Sequence, residues 1–116
     1  MNLIRLERHQ HPRPPHHELR QKRVLDSGSR SIGQVANLHV DEDGKLHFMD
    51  VIEGGFMGLR TKHHLVPVEA IAEEDPGSIT LGVDEQAVES APTYETPHAG
   101  PDEELQRLTR EHFGYN

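Results

Sequence analysis

The strongest constraint in this chain is a pair of apolar segments, residues 32–40 and 46–52, broken by Asp41-Glu42-Asp43-Gly44-Lys45. The break is acidic and carries Gly44, which accepts a positive φ at no steric cost, so the pair reads as a β-hairpin. With Val40 opposite Leu46, Leu38 falls opposite Phe48, and these four share the face expected to be buried. Asn37, His39, His47 and Met49 share the other face, with His39 directly opposite His47. Farther from the turn the alternation breaks, because Val35 falls opposite Val51 and both are apolar. A bulge or strong coiling in both strands reconciles the two halves, and small barrels use such features to close.

The flanking sequence continues the β pattern. Val24-Leu25 is a short apolar run ended by the turn cluster Asp26-Ser27-Gly28-Ser29. Gly54-Gly55-Phe56-Met57-Gly58 is a glycine-rich connection. Residues 65–71 read as the next strand, with Pro67 placing it at an edge, a strand start or a bulge. Ile79, Leu81 and Val83 alternate as a final strand. Asp84 is placed to cap a short helix running to Glu89, which Pro92 stops. Residues 102–113 carry acids in the first turn and Arg110 and His112 in the last, the polarity of the helix dipole. Leu105, Leu108, His112 and Phe113 form its apolar stripe, and Gly114 follows as a cap.

Composition sets the organisation. At 116 residues the chain fits one domain with one modest core. Only 33% of it is hydrophobic and it has no Trp, so Leu, Val and Ile must supply the packing and part of the chain is expected outside the core. Residues 1–21 read as a His/Pro/Arg-rich tail, 22–92 as the β domain, 93–100 as a linker and 101–116 as a terminal amphipathic helix. Within the tail, Leu3, Ile4 and Leu6 are the residues able to form a strand or dock on a neighbour.

The formal net charge of -8 opposes general nucleic-acid binding. The basic residues Arg5, Arg8, Arg13, Arg20, Lys22 and Arg23 nevertheless cluster at the N-terminal end, whereas residues 69–104 contain no Lys or Arg. Absence of Cys excludes disulfides, thiolate metal sites and a cysteine nucleophile. The first residues lack the apolar core of a signal peptide, and no run approaches a membrane span, so a cytoplasmic location is the default expectation.

Residues 24–92 resemble the PRC-barrel family. The matching stretches are Ser31-Ile32-Gly33-Gln34-Val35, the acidic Asp41-Glu42-Asp43-Gly44 turn, Gly54-Gly55-Phe56-Met57-Gly58-Leu59, Leu65-Val66-Pro67-Val68-Glu69-Ala70-Ile71 and Val88-Glu89-Ser90-Ala91-Pro92. That family's barrel also occurs in the photosynthetic reaction centre H subunit and in a bacterial ribosome maturation factor. Residues 103–115 look like the terminal helix of stand-alone bacterial members. The resemblance implies a mainly β fold, a small antiparallel PRC-type barrel with short flanking helices, and a binding or assembly role. It carries over no catalytic residue and no cofactor, because the matched positions are turns and core.

Ten histidines invite a metal reading. His39 and His47, paired across the hairpin, would lie within chelating reach, yet a structural zinc site takes about four ligands. Solvent-facing histidines that titrate near neutrality are the plainer reading. The glycine loop leads into a strand rather than a helix, so it lacks the geometry of a phosphate cradle. Its Phe56 and Met57 must fold back as a plug or form a contact patch. No pattern suggests a nucleophile elbow or a split carboxylate pair, so no enzymatic activity is expected. The expected function is non-catalytic protein binding, including binding to a second copy, through Phe56, Met57, Leu105, Leu108 and Phe113. The alternatives are an RNA or ribosome-assembly accessory using the basic arm, and a metal- or pH-responsive module built on His39 and His47.

Overall fold

The computed structural model of the protein describes residues 1–14, 18–54, 61–94 and 100–115. Among the described residues seven strands run in chain order: β1 (Ile4–Arg5), β2 (Arg23–Leu25), β3 (Ser31–Val40), β4 (Leu46–Gly54), β5 (Thr61–Pro67), β6 (Ile71–Glu74) and β7 (Ser78–Leu81). Two helices follow, α1 (Glu85–Glu89) and α2 (Glu103–Phe113).

The strands form one sheet in the order β5-β4-β3-β2-β7-β6, with β1 pairing separately on β3. β5 and β6 stand at opposite ends of that order. In the chain, however, they are joined by a single 3-10 turn over Val68–Ala70. So short a connection requires the sheet to curl on itself, giving a half-barrel. Pro67 ends β5, because it has no N–H to continue a ladder, and the 3-10 turn swings the chain round. All pairings are antiparallel except β2 with β7.

The β3–β4 hairpin shows where paper register succeeds and fails. Val40 pairs with Leu46 and Val35 with Val51, as the apolar pattern predicts. Between them Asn37 pairs with Asp50, Leu38 with Met49 and His39 with Phe48. The expected Leu38–Phe48 and His39–His47 pairs do not form. The cause is one bulge in each strand: His47 is the extra residue in β4 and Ala36 the extra residue in β3. The second bulge cancels the first, so both ends keep the predicted register while the middle slips by one. With a side-chain period of two, that slip exchanges faces. Met49 joins Leu38 in the core on the concave side of the sheet, and Phe48 turns to the opposite face with His39.

The sheet therefore buries both faces. Val24, Ile32, Val35, Leu38, Val40, Leu46, Met49, Val51, Val66, Ile79 and Leu81 fill the concave side. A smaller cluster of Leu3, Phe48, Leu65 and Tyr94 lies on the other face, with Leu105 packed on it.

The turns behave as their residues dictate. Gly44 takes φ 81° in the hairpin. The fully buried Asp26 carboxylate accepts from the backbone N–H groups of Gly28, Arg30 and Glu85, tying the β2–β3 turn to the start of α1. Those bonds, led by the one from Arg30, hold its pKa below the usual carboxylate range against the effect of burial. Asp84 caps α1 through Ala87, Asp102 caps α2 through Leu105, and Gly114 closes α2 at φ 86°.

The N-terminal segment is part of the domain. Leu6 and Leu19 sit in the main core and Leu3 in the smaller one. Arg20 fastens the segment to itself. Its guanidinium bonds both carboxylate oxygens of Glu18, the Glu7 carbonyl at 2.9 Å and the Gln10 carbonyl. Among the described residues, no helix is long and apolar enough to cross a membrane.

Candidate functional site

The register slip that buries Phe48 assembles a polar cluster on the same face. β3 supplies Asn37 and His39, β4 supplies Asp50, and β5 supplies His63. Asp50 pairs with both Asn37 and Leu65 across the ladders, so its carboxylate stands between β3 and β5. It is fully buried. It accepts from Asn37 Nδ2 at 2.9 Å, and His63 Nδ1 lies 3.0 Å from both oxygens. A ring nitrogen against a buried carboxylate carries its proton there, so this contact fixes the tautomer and orientation of His63. The His63 ring is 28% exposed, leaving the cluster with one face toward solvent.

His39 lies deeper, at 0% exposure. Its Nε2 is 2.9 Å from the Tyr94 hydroxyl, and the two rings meet edge to face with centroids 5.8 Å apart. Its Nδ1 is buried and has no partner among the described residues. Burial pushes the His39 pKa down to about 4; the Asp50 charge opposes this and Arg5 adds to it. Burial also pushes the Tyr94 hydroxyl up, with the Asp50 charge in the same direction. At neutral pH both are therefore uncharged, and their contact is a neutral hydrogen bond in a buried site.

The sequence-predicted residues are distributed differently. His39 and His47 are not a pair. His39 is paired with Phe48 and faces Tyr94, whereas His47 is the bulge residue and lies 2.9 Å from Asp41. Phe56 and Met57 lie outside the described residues. Leu105 and Phe113 turn inward and pack on the protein's own clusters, and Leu108 stays 38% exposed. Arg23 lies in β2, and Arg20 is committed to Glu18. Asp50 and Tyr94 have no place in a hairpin reading. The signal for Asp50 is its position, an acid flanked by Met49 and Val51 inside an apolar strand. Tyr94 gives none, because its contact spans 55 residues of sequence.

Among the described residues, the group with donors suited to a cation is Glu53, Glu85 and Glu89, whose carboxylate oxygens lie within 4.8 Å of one another. His64 Nε2 lies 3.0 Å from Glu53. Such hard oxygen donors match calcium or magnesium chemistry in type.

A second feature adjoins the polar cluster. The edge of β3 opposite β4 is covered in two pieces. β1 and the Leu6 N–H bond residues 38–40, and residues 21–25 bond residues 31–35. At the bulge residue Ala36 the cover is interrupted, leaving a pocket of about 500 Å³. Arg5, Arg8, Glu18, Arg20, Ala36 and Asn37 line it. Asn37 thus joins the pocket to Asp50 behind it.

A search of curated proteins finds no match to the chain. The family model described as PRC-barrel domain matches residues 15–87. That span begins at the inner end of the N-terminal segment and ends within α1, so it takes in the whole strand system from β2 to β7. The chain belongs to the PRC-barrel domain family.

Proposed function

We propose that the protein is a non-catalytic protein-binding module that docks a partner, a second copy of itself included, beside its N-terminal segment and α2. The supporting observation is the placement of its exposed large apolar side chains. Met1 is 56% exposed, Ile4 55% and Leu108 38%. Met1 and α2 are neighbours, because the Met1 carbonyl accepts from Gln106 and the terminal amine lies 2.9 Å from Glu103. The family context fits, since a small barrel serves as a platform, although fold alone assigns no role. The polar cluster fits as well: its fully buried His39 and Asp50 lend the sheet specificity rather than reaching a substrate.

The test is an affinity pull-down from lysate with the full chain, run with and without nuclease, beside size-exclusion chromatography with light scattering. Nuclease-resistant recovery of specific proteins, or a dimer, lost in an Ile4→Asp/Leu108→Asp variant, is the expected result. Recovery of ribonucleoprotein that disappears with nuclease, or binding indifferent to both substitutions, would overturn the reading.

A further inference from the structure

We propose that the gap in the β3 edge is a binding site for a small oxyanion, a carboxylate or phosphate group held between Arg5 and Arg8. This inference stands apart from the protein-docking role, which uses other side chains.

Geometry carries it. The Ala36 bulge removes a residue from the pairing pattern, so the N-terminal segment covers β3 on either side of it and not across it. The resulting pocket, about 500 Å³, falls within the size range of small-ligand sites, roughly 300–1,000 Å³. Three arginines and two glutamates line it. One of each is already spent: Arg20 and Glu18 neutralise each other at 2.5 Å, and this pairing holds Glu18 down to about 2. Arg5 and Arg8 have no carboxylate partner among the described residues. Among the lining residues Glu7 is the opposing charge left over; it is exposed, and its own backbone N–H bonds the Gln10 side chain, while the buried Asp50 behind Asn37 is tied to Asn37 and His63. Arg5 is half-buried on β1, positioned by its pairing with His39, so solvent screens its charge less than that of a fully exposed side chain. A guanidinium matches the two-oxygen edge of a carboxylate or phosphate, and a second guanidinium adds charge without new packing. Asn37, on the pocket floor, offers a polar contact whose orientation Asp50 already fixes.

The experiment is an amide chemical-shift titration of the full chain at low ionic strength, with inorganic phosphate and succinate as separate arms. The expected result is saturable shifts at residues 5–8, 18–21 and 36–37 with one or both probes. The responding arm identifies the group recognised. Arg5→Gln and Arg8→Gln should each weaken binding by about tenfold, the scale of one charge-assisted contact. Arg107→Gln, on α2, should leave it unchanged. Arg8 lies in an exposed turn, so its variant keeps the test decisive even if Arg5→Gln disturbs the β1 pairing. Shifts that fail to saturate with either probe, or an affinity that Arg8→Gln leaves intact, would overturn the proposal.

Discussion

His39 is a histidine kept uncharged by its surroundings, and this has a pH consequence. Its folded pKa, about 4, lies below the ordinary value of 6.5. Between those values the unfolded chain binds the extra proton and the folded one does not. The stability His39 contributes is therefore fully present above pH 6.5 and is lost as pH falls toward 4, by up to the order of 3 kcal/mol. Denaturation across that window in the protein and in His39→Leu should show a flatter profile for the variant; parallel profiles would contradict the assignment. Tyr94→Phe tests the same contact from the other side. It leaves neither ring nitrogen of His39 with a hydrogen-bond partner among the described residues, at a cost of about 1–3 kcal/mol. At this scale the sequence is only partly legible. An acid between Met49 and Val51 marks Asp50, but whether it meets His63 or water depends on β5, which no local pattern places.

Elements whose ends are set by local chemistry are legible to within a residue. Asp84, Gly44 and Gly114 act where their side chains, or the lack of one, dictate, while Asp102, read as the first residue of the helix, stands just before it as the N-cap. Asp102→Ala should cost about 1 kcal/mol, the usual value of an N-cap, read as a lower denaturation midpoint. The β3–β4 hairpin is legible at its ends and misread in its middle. Two bulges that cancel leave the terminal pairs where alternation predicts them, so nothing at either end betrays the slip between. The bland middle sequence cannot separate the registers either, since Phe48 and Met49 are both apolar and either can face the core. What the sequence holds but does not explain is Gly33. A Cβ there would stand 2.0 Å from the Ile52 carbonyl oxygen, a backbone atom that cannot step aside. Gly33→Ala should therefore destabilise by roughly 3 kcal/mol or more, beyond ordinary overpacking. A melting temperature within a degree or two of the parent would mean that β3 and β4 cross less closely than this.

The molecule as a whole departs most from its sequence at the N-terminus. Composition makes residues 1–21 a tail, because proline, histidine and arginine dilute its few leucines, and the family match begins only at residue 15. In the fold those leucines decide the outcome. Leu3, Leu6 and Leu19 are each at most 7% exposed, and β1 pairs with the far end of β3. Spacing alone could not announce this, since Leu6 and Leu19 reach the same core from either side of a loop that Arg20 holds shut. The arm is then both a structural strap and a carrier of charge, and the two roles separate by experiment. Deleting residues 1–21 removes three buried leucines, each worth about 1.5–3 kcal/mol of transfer free energy, and strips the edge of β3. Stability in urea should fall by several kcal/mol, enough to leave so small a domain marginal. Replacing Arg8 and Arg13 with Gln removes charge while leaving the leucines in place, and should leave the unfolding free energy in urea within about 0.5 kcal/mol of the parent, as for exposed positions generally. A deletion that left the midpoint unchanged would return the arm to a solvated appendage, with its arginines free to act at long range. Its binding to anionic polymers should then weaken steeply with added salt. A deletion that unfolds the chain, set beside a charge variant that does not, fixes the arm as part of the domain's core.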